Sequence, residues 1–166
     1  MDKYIRLARK MKIQDALIIS PQDLHFDPRA VLKCLWGCDD SSVPGNIKCG
    51  VRGLSLGERM EIVNRYAHVL LLHSHSAQLI SAVSLRIEKE AFLDGFYFAM
   101  ALRACNLCRS CGVLKGQGCP TPQRIRPCEA GFGLDIYKTV RNLDLPIQVL
   151  PHREAVPDRY GFVLLD

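Results

Sequence analysis

The stretch Ala67-His68-Val69-Leu70-Leu71-Leu72-His73-Ser74-His75-Ser76 decides how the rest of the chain is read. Its short, unbroken apolar run ending in polar residues is the pattern of a buried strand. Beyond it a helical stretch is predicted over about Ala77–Met100, with Phe92, Gly95, Phe96, Ala99 and Met100 at i, i+3, i+4 spacing along its second half. A glycine inside such a stripe costs about 1 kcal/mol against alanine, so Gly95 predicts close packing against another element.

Working outward toward lower numbers, Ser55 followed by Glu58 forms a capping-box pattern that opens a helix running to about Tyr66. Residues 2–12 read as a short amphipathic helix carrying Tyr4, Ile5, Leu7, Ala8 and Met11 on one side. Ala16-Leu17-Ile18-Ile19, ended by Ser20-Pro21, reads as a buried strand. Asp27-Pro28 starts a short helical turn leading to Cys34. From Gly37 to Gly57 the chain lacks periodicity and reads as a long loop, uncommon unless something organises it. In the other direction a helix is expected at about Asp135–Asn142, then strands at Ile147–Leu150 and Phe162–Leu165. The expected class is α+β, with α/β as the alternative. One domain over residues 1–166 holds a small mixed sheet of about four strands, flanking helices and a cysteine-rich lobe.

A chain of 166 residues with 48% hydrophobic content buries roughly 70% of its unfolded surface and needs no cross-links to fold. Its eight cysteines therefore require another reason. The charged start Met1-Asp2-Lys3-Tyr4-Ile5-Arg6 is unlike a signal peptide, and Val69-Leu70-Leu71-Leu72 is too short to span a bilayer. The expected home is the cytoplasm, with no membrane partner. Clustered cysteines in that reducing compartment point to metal rather than disulfides.

Cys105-x2-Cys108-x2-Cys111 is the most informative motif, because two-residue gaps turn successive thiolates toward one small object. Gly112, Gly116 and Gly118 permit tight turns before Cys119, which can close the site, and Pro120 and Pro122 then steer the chain away. The run resembles C-x2-C-x2-C-x3-C-P of bacterial ferredoxins, with seven residues in place of three in the last gap. A [4Fe-4S] cluster is expected at Cys105, Cys108, Cys111 and Cys119. Zinc is the rival, although structural zinc sites usually show two separated C-x2-C pairs. The second group, Cys34-x3-Cys38-x10-Cys49, is one ligand short of four. Cys128, His73 or His75 could complete it, or its members could be buried thiols acting as small hydrophobes.

The remaining candidates weigh less. The net charge of +5 falls to about +1 if two clusters with their thiolates each contribute −2. The basic residues are dispersed and no aromatic–basic interleaving marks a base-stacking surface, so no nucleic-acid partner is expected. His73 and His75 would point to opposite faces in strand geometry, which favours one exposed imidazole over a ligand pair. Arg126 is a candidate donor to a cluster sulfur, or else pairs with Glu129. Asp39-Asp40 reads as a solvated turn. No phosphate loop, G-x-S-x-G elbow or H-E-x-x-H motif occurs.

The region also resembles an uncharacterised bacterial and archaeal family of predicted metal-binding proteins. The shared features are Glu88, Phe92 and Gly95 ahead of Cys105, Cys108 and Cys111. Cys119, Pro122, Arg126 and Pro127 follow, then Gly133-Leu134-Asp135 entering a helix. The resemblance is best over residues 85–145. It departs where the family's Cys-Pro-Pro is Cys49-Gly50-Val51 here, and where its Arg-Pro-Ser is Arg126-Pro127-Cys128. The resemblance implies metal binding and brings no reaction with it. Three functions are open at this point. One is an iron–sulfur protein with one or two clusters that relays electrons to a redox partner. The others are an enzyme using an iron that lacks a protein ligand, and a zinc-stabilised binding module.

Overall fold

The computed structural model describes residues 1–43, 46–47, 49, 53–152 and 154–166, leaving aside the Ser42 side chain. Its centre is a four-stranded sheet of β1 (Asp15–Ile19), β2 (His68–Ser74), β3 (Met100–Leu102) and β4 (Arg159–Leu165), in the order β1-β2-β4-β3. Every pairing is antiparallel, where the sequence suggested a mixed sheet. Around it lie α1 (Asp2–Lys10), α2 (Pro28–Gly37), α3 (Leu56–Asn64), α4 (Ala77–Leu93), α5 (Glu129–Phe132) and α6 (Ile136–Arg141). The class is α+β.

The apolar run of β2 is continuous because both sides of that strand are covered. Leu70 and Leu72 join Ala16, Ala101, Val163 and Leu165 in one core with Tyr4 and Ala8 of α1 and Ile80, Val83 and Ile87 of α4. Val69 and Leu71 join Ile19, Leu102, Phe162 and Leu164 in a second core with Val63 of α3, Phe132 of α5 and Val140 of α6. Alternate side chains on a strand point to opposite faces, so one strand feeds both cores.

Two expectations are corrected. The helix after β2 stops at Leu93 rather than Met100, because Gly95 adopts φ +103° and serves as its left-handed terminator. The Phe96 amide bonds the Ala91 carbonyl (3.0 Å) and the Gly95 amide bonds that of Phe92 (3.1 Å), a Schellman ending. A Cβ at Gly95 would meet nothing within 4 Å, so close packing is not its reason. The close approach is at Gly161 of β4, where a Cβ would lie 2.6 Å from Ile80 Cγ2. Residues freed from the helix supply β3, whereas Ile147–Leu150 is not a strand: both sides of β4 are already paired, and Val149 is exposed.

Because all pairings are antiparallel, β2 and β3 run the same way and leave the sheet at one end, where β1 and β4 enter. The residues at that end are Asp15, His73 and Ser74, Asp158 and Arg159, and the Leu102-Arg103-Ala104-Cys105 exit. The fold thus delivers the cysteine segment to the same end as the histidines.

Candidate metal centre

Cys105, Cys108, Cys111 and Cys119 all line one cavity of about 150 Å³, together with Val113, Thr121 and Ile125. The segment reaches this arrangement through its backbone. A 3-10 turn at Val113–Lys115 ends at Gly116, whose φ of +73° reverses the chain. The Gln117 amide bonds the Gly112 carbonyl at 2.8 Å. A Cβ on Gly112 would stand 3.1 Å from the Gly118 carbonyl oxygen, so the seven residues between Cys111 and Cys119 fold back on themselves. Those two cysteines flank that close approach, which is how the long final gap still returns Cys119 to the cavity.

The segment is moored to the sheet by polar contacts. Ser81 Oγ of α4 donates to the Ala104 carbonyl (2.9 Å) and Gln78 Nε2 to that of Leu107 (3.5 Å). Glu129 accepts from Arg103 Nη1 (2.9 Å) and from the Ala104 amide (3.2 Å), and both side chains of that ion pair are buried. Arg126 pairs with Glu88 instead of Glu129: its Nε donates at 2.8 Å, its Nη2 also reaches Glu88, and Nη1 donates to the Gln123 and Ile125 carbonyls. Glu88 also accepts from the Ala101 amide of β3 at 2.7 Å. Arg126 is therefore a strut between the cysteine lobe, α4 and β3.

The second group is assembled from distant parts of the chain. Asp27 caps α2 by accepting from the Arg29 amide (2.8 Å), with Pro28 at the first helical position. An isolated bridge joins Phe26 to Leu134, with Asp27 N to Gly133 O at 2.9 Å and Asp135 N to His25 O at 2.8 Å. This bridge lays α2 alongside α5 and brings Cys34 to Cys128. The sulfurs of Cys34 and Cys128 both face Gly131, and that of Cys128 accepts from the Gly131 amide at 3.1 Å. A Cβ on Gly131 would sit 3.2 Å from Cys128 Sγ and 3.4 Å from Cys34 Sγ. Burial pushes the Cys128 thiol up to about 12, against the pull of the Gly131 amide, and raises that of Cys34 as well.

Cys38, exposed at the end of α2, lies near enough to act electrostatically on Cys34. Cys49 accepts from Asn46 Nδ2 (3.4 Å), which also bonds the Asp40 carbonyl (2.6 Å). Asp40 in turn lines the cavity of the first group, so the two groups adjoin. The Gly50-Val51 step that departs from the family pattern lies outside the described residues.

No motif marks Arg59, which the fold places beside the second group. It is buried on α3, donates from Nη1 to the Gly131 carbonyl (3.0 Å) and from Nη2 to that of Leu54, and leaves Nε unpartnered. Among the described residues it forms no ion pair. Burial disfavours its charge, and the neighbouring Glu58 carboxylate favours it. Thiolates at Cys34 and Cys128, both against Gly131, would add further negative charge beside it, so the donor set fits a metal with anionic sulfur ligands.

A family model for predicted metal-binding protein (DUF2284) matches residues 17–165. The chain belongs to this family. The DUF2284 match spans both cysteine groups and all of the sheet except the first two residues of β1. No curated protein and no solved structure matches the chain. Among the described residues of this DUF2284 protein, no helix is long and apolar enough to cross a membrane.

Proposed function

We propose that this protein is an iron–sulfur electron carrier. In this reading one [4Fe-4S] cluster is held by Cys105, Cys108, Cys111 and Cys119. A second is held by Cys34, Cys38, Cys49 and Cys128. The observation that carries the reading is the convergence of the first four cysteines on one cavity. A cluster of this kind exchanges single electrons at a potential tuned by charge, hydrogen bonds to sulfur and solvent exposure.

The spacing of the thiols supports iron–sulfur over zinc. Cys105-x2-Cys108-x2-Cys111 supplies three thiolates from seven residues, which crowds one tetrahedral ion with Zn–S bonds of about 2.3 Å more than it does a cluster.

The protein's own part is to orient and insulate. Glu129 and Arg103 fix the backbone leading to Cys105, Arg59 balances charge near Cys34 and Cys128, and Val113 and Ile125 limit water. Cys108 and Cys38 are exposed and give each centre an edge where electrons pass to a partner protein. The setting proposed is a reducing cytoplasm, where thiols stay available for metal. Protein purified without oxygen should be brown, with broad visible absorption and about four iron and four sulfide per cluster. Colourless protein with stoichiometric zinc would overturn the proposal.

A further inference from the structure

His73 and His75 do not behave as alternating strand residues. β2 ends at Ser74, and the turn at Ser74–Ser76, held by Ser76 N to Ser74 Oγ at 3.1 Å, swings His75 back over the strand end. The two rings stand edge to face with centroids 5.7 Å apart, and both approach Asp158 at the entry to β4. His73 Nε2 lies 2.9 Å and His75 Nδ1 3.7 Å from Asp158 Oδ1. One ligand atom from each of the three residues falls within 4.8 Å of the other two.

We propose that His73, His75 and Asp158 form a mononuclear site for a divalent transition ion of the zinc or ferrous-iron class, separate from the cysteines. Bonds of about 2.0–2.2 Å to nitrogen and carboxylate oxygen place neighbouring tetrahedral ligands about 3.3 Å apart. The two measured separations, 2.9 and 3.7 Å, straddle that value. Asp15 at the start of β1 supplies what such a histidine needs behind it. Its Oδ2 lies 2.7 Å from His73 Nδ1, so Nδ1 carries the proton and Nε2 faces Asp158 and the ion. His73 is buried and stacked on Tyr160, centroids 4.7 Å apart at 16°, which locks the ring. His75 is about half exposed, so the three ligands leave an open position toward solvent, the pattern of sites that bind a water or a substrate.

Without metal, His73 Nε2 faces Asp158 across a hydrogen bond and His75 Nδ1 lies 3.2 Å from the Pro157 carbonyl. Binding would replace these two contacts with bonds from the same nitrogens to the ion. No cysteine belongs to this site, which is therefore independent of the iron–sulfur proposal.

The test is titration of the anaerobically purified protein, its cysteine-bound metal in place, with Co²⁺ followed by visible absorption. The expected result is one Co²⁺ per chain with d–d bands and no thiolate-to-cobalt charge-transfer band. His75→Ala changes an exposed side chain and should retain the fold. It and Asp158→Asn should each weaken binding at least about tenfold. Asp15→Asn should weaken it about 10- to 100-fold through the supporting hydrogen bond. Iron, sulfide and near-UV circular dichroism should match the parent protein in His75→Ala. Absence of a non-thiolate Co²⁺ equivalent in the parent protein would overturn the proposal, as would unchanged affinity in both His75→Ala and Asp158→Asn.

Discussion

Cys34 and Cys128, on α2 and at the cap of α5, bring their sulfurs together over Gly131, where a Cβ would stand 3.4 and 3.2 Å from them. That contact gives the earlier cysteine group a fourth thiol, and it depends on a residue with no side chain.

Gly131→Ala tests it directly. The added methyl would stand 3.2 and 3.4 Å from the two sulfurs, tighter than ordinary contact, and must push at least one away. Alanine favours the helical conformation by about 1 kcal/mol over glycine, so secondary structure should survive. The expected outcome is loss of the iron bound by the second group, with the first retained. Iron and sulfide counts beside far-UV circular dichroism will check this.

Glu129→Ala should act on both groups. It strips the partner from the buried Arg103 guanidinium and frees the Ala104 amide next to Cys105. Breaking a buried pair by removing one member costs about 3–5 kcal/mol. Urea denaturation should show a loss of this size, accompanied by faster release of iron to a chelator.

Arg126 and Glu88 should prove coupled. Single substitutions Arg126→Gln and Glu88→Gln each break the strut, so the double variant should cost little more than either alone. A coupling of about 0.5–3 kcal/mol from the double-mutant cycle is expected. Additive effects would show that Arg126 does its work elsewhere.

An acid limit and an alkaline limit are built into the docking of α1 on α4. Asp94 accepts from Lys3 Nζ and from Tyr4 Oη at 2.7 Å, and these bonds hold its carboxyl below the usual carboxylate range. Its contribution is therefore present above pH of about 4 and is lost as pH falls through the lowered value. Burial and Asp94 together raise the Tyr4 phenol, so its contribution is complete below pH of about 10 and is lost as pH rises through the raised value. Thermal unfolding against pH should decline at both ends, and Asp94→Asn should flatten the acid decline.

Much of this was legible in the residues. The run Val69–Leu72 announced a doubly covered strand, and Ser55 with Glu58 formed the capping box at the start of α3 as its spacing required. Gly95 is ambiguous in sequence because a glycine at a helix end and one inside a helix look alike in an i, i+3, i+4 stripe. Only the backbone conformation, φ +103°, separates them. β3 is hidden for the same reason: its first residue, Met100, falls on the helical stripe, and Ala101 and Leu102 are too few to show a strand period. Arg59 and Asp158 carried no motif; their roles arise from partners far along the chain, at Gly131 and His73. Strand alternation predicts one exposed imidazole, and His75 is half exposed while His73 is buried; that both rings still approach Asp158 follows from the chain leaving β2 at Ser74.

The position of β4 between β2 and β3 sets an order of maturation. Cys105 to Cys119 are close neighbours along the polypeptide, so the cluster proposed for them would not have to wait for the sheet's inner strand. Cys34 and Cys128 meet only through α2, α5 and the bridge from Phe26 to Leu134, contacts of long sequence separation that form late. Iron supplied to a refolding chain would therefore be captured first by the compact motif, and the dispersed one would fill only once the scaffold had closed around it.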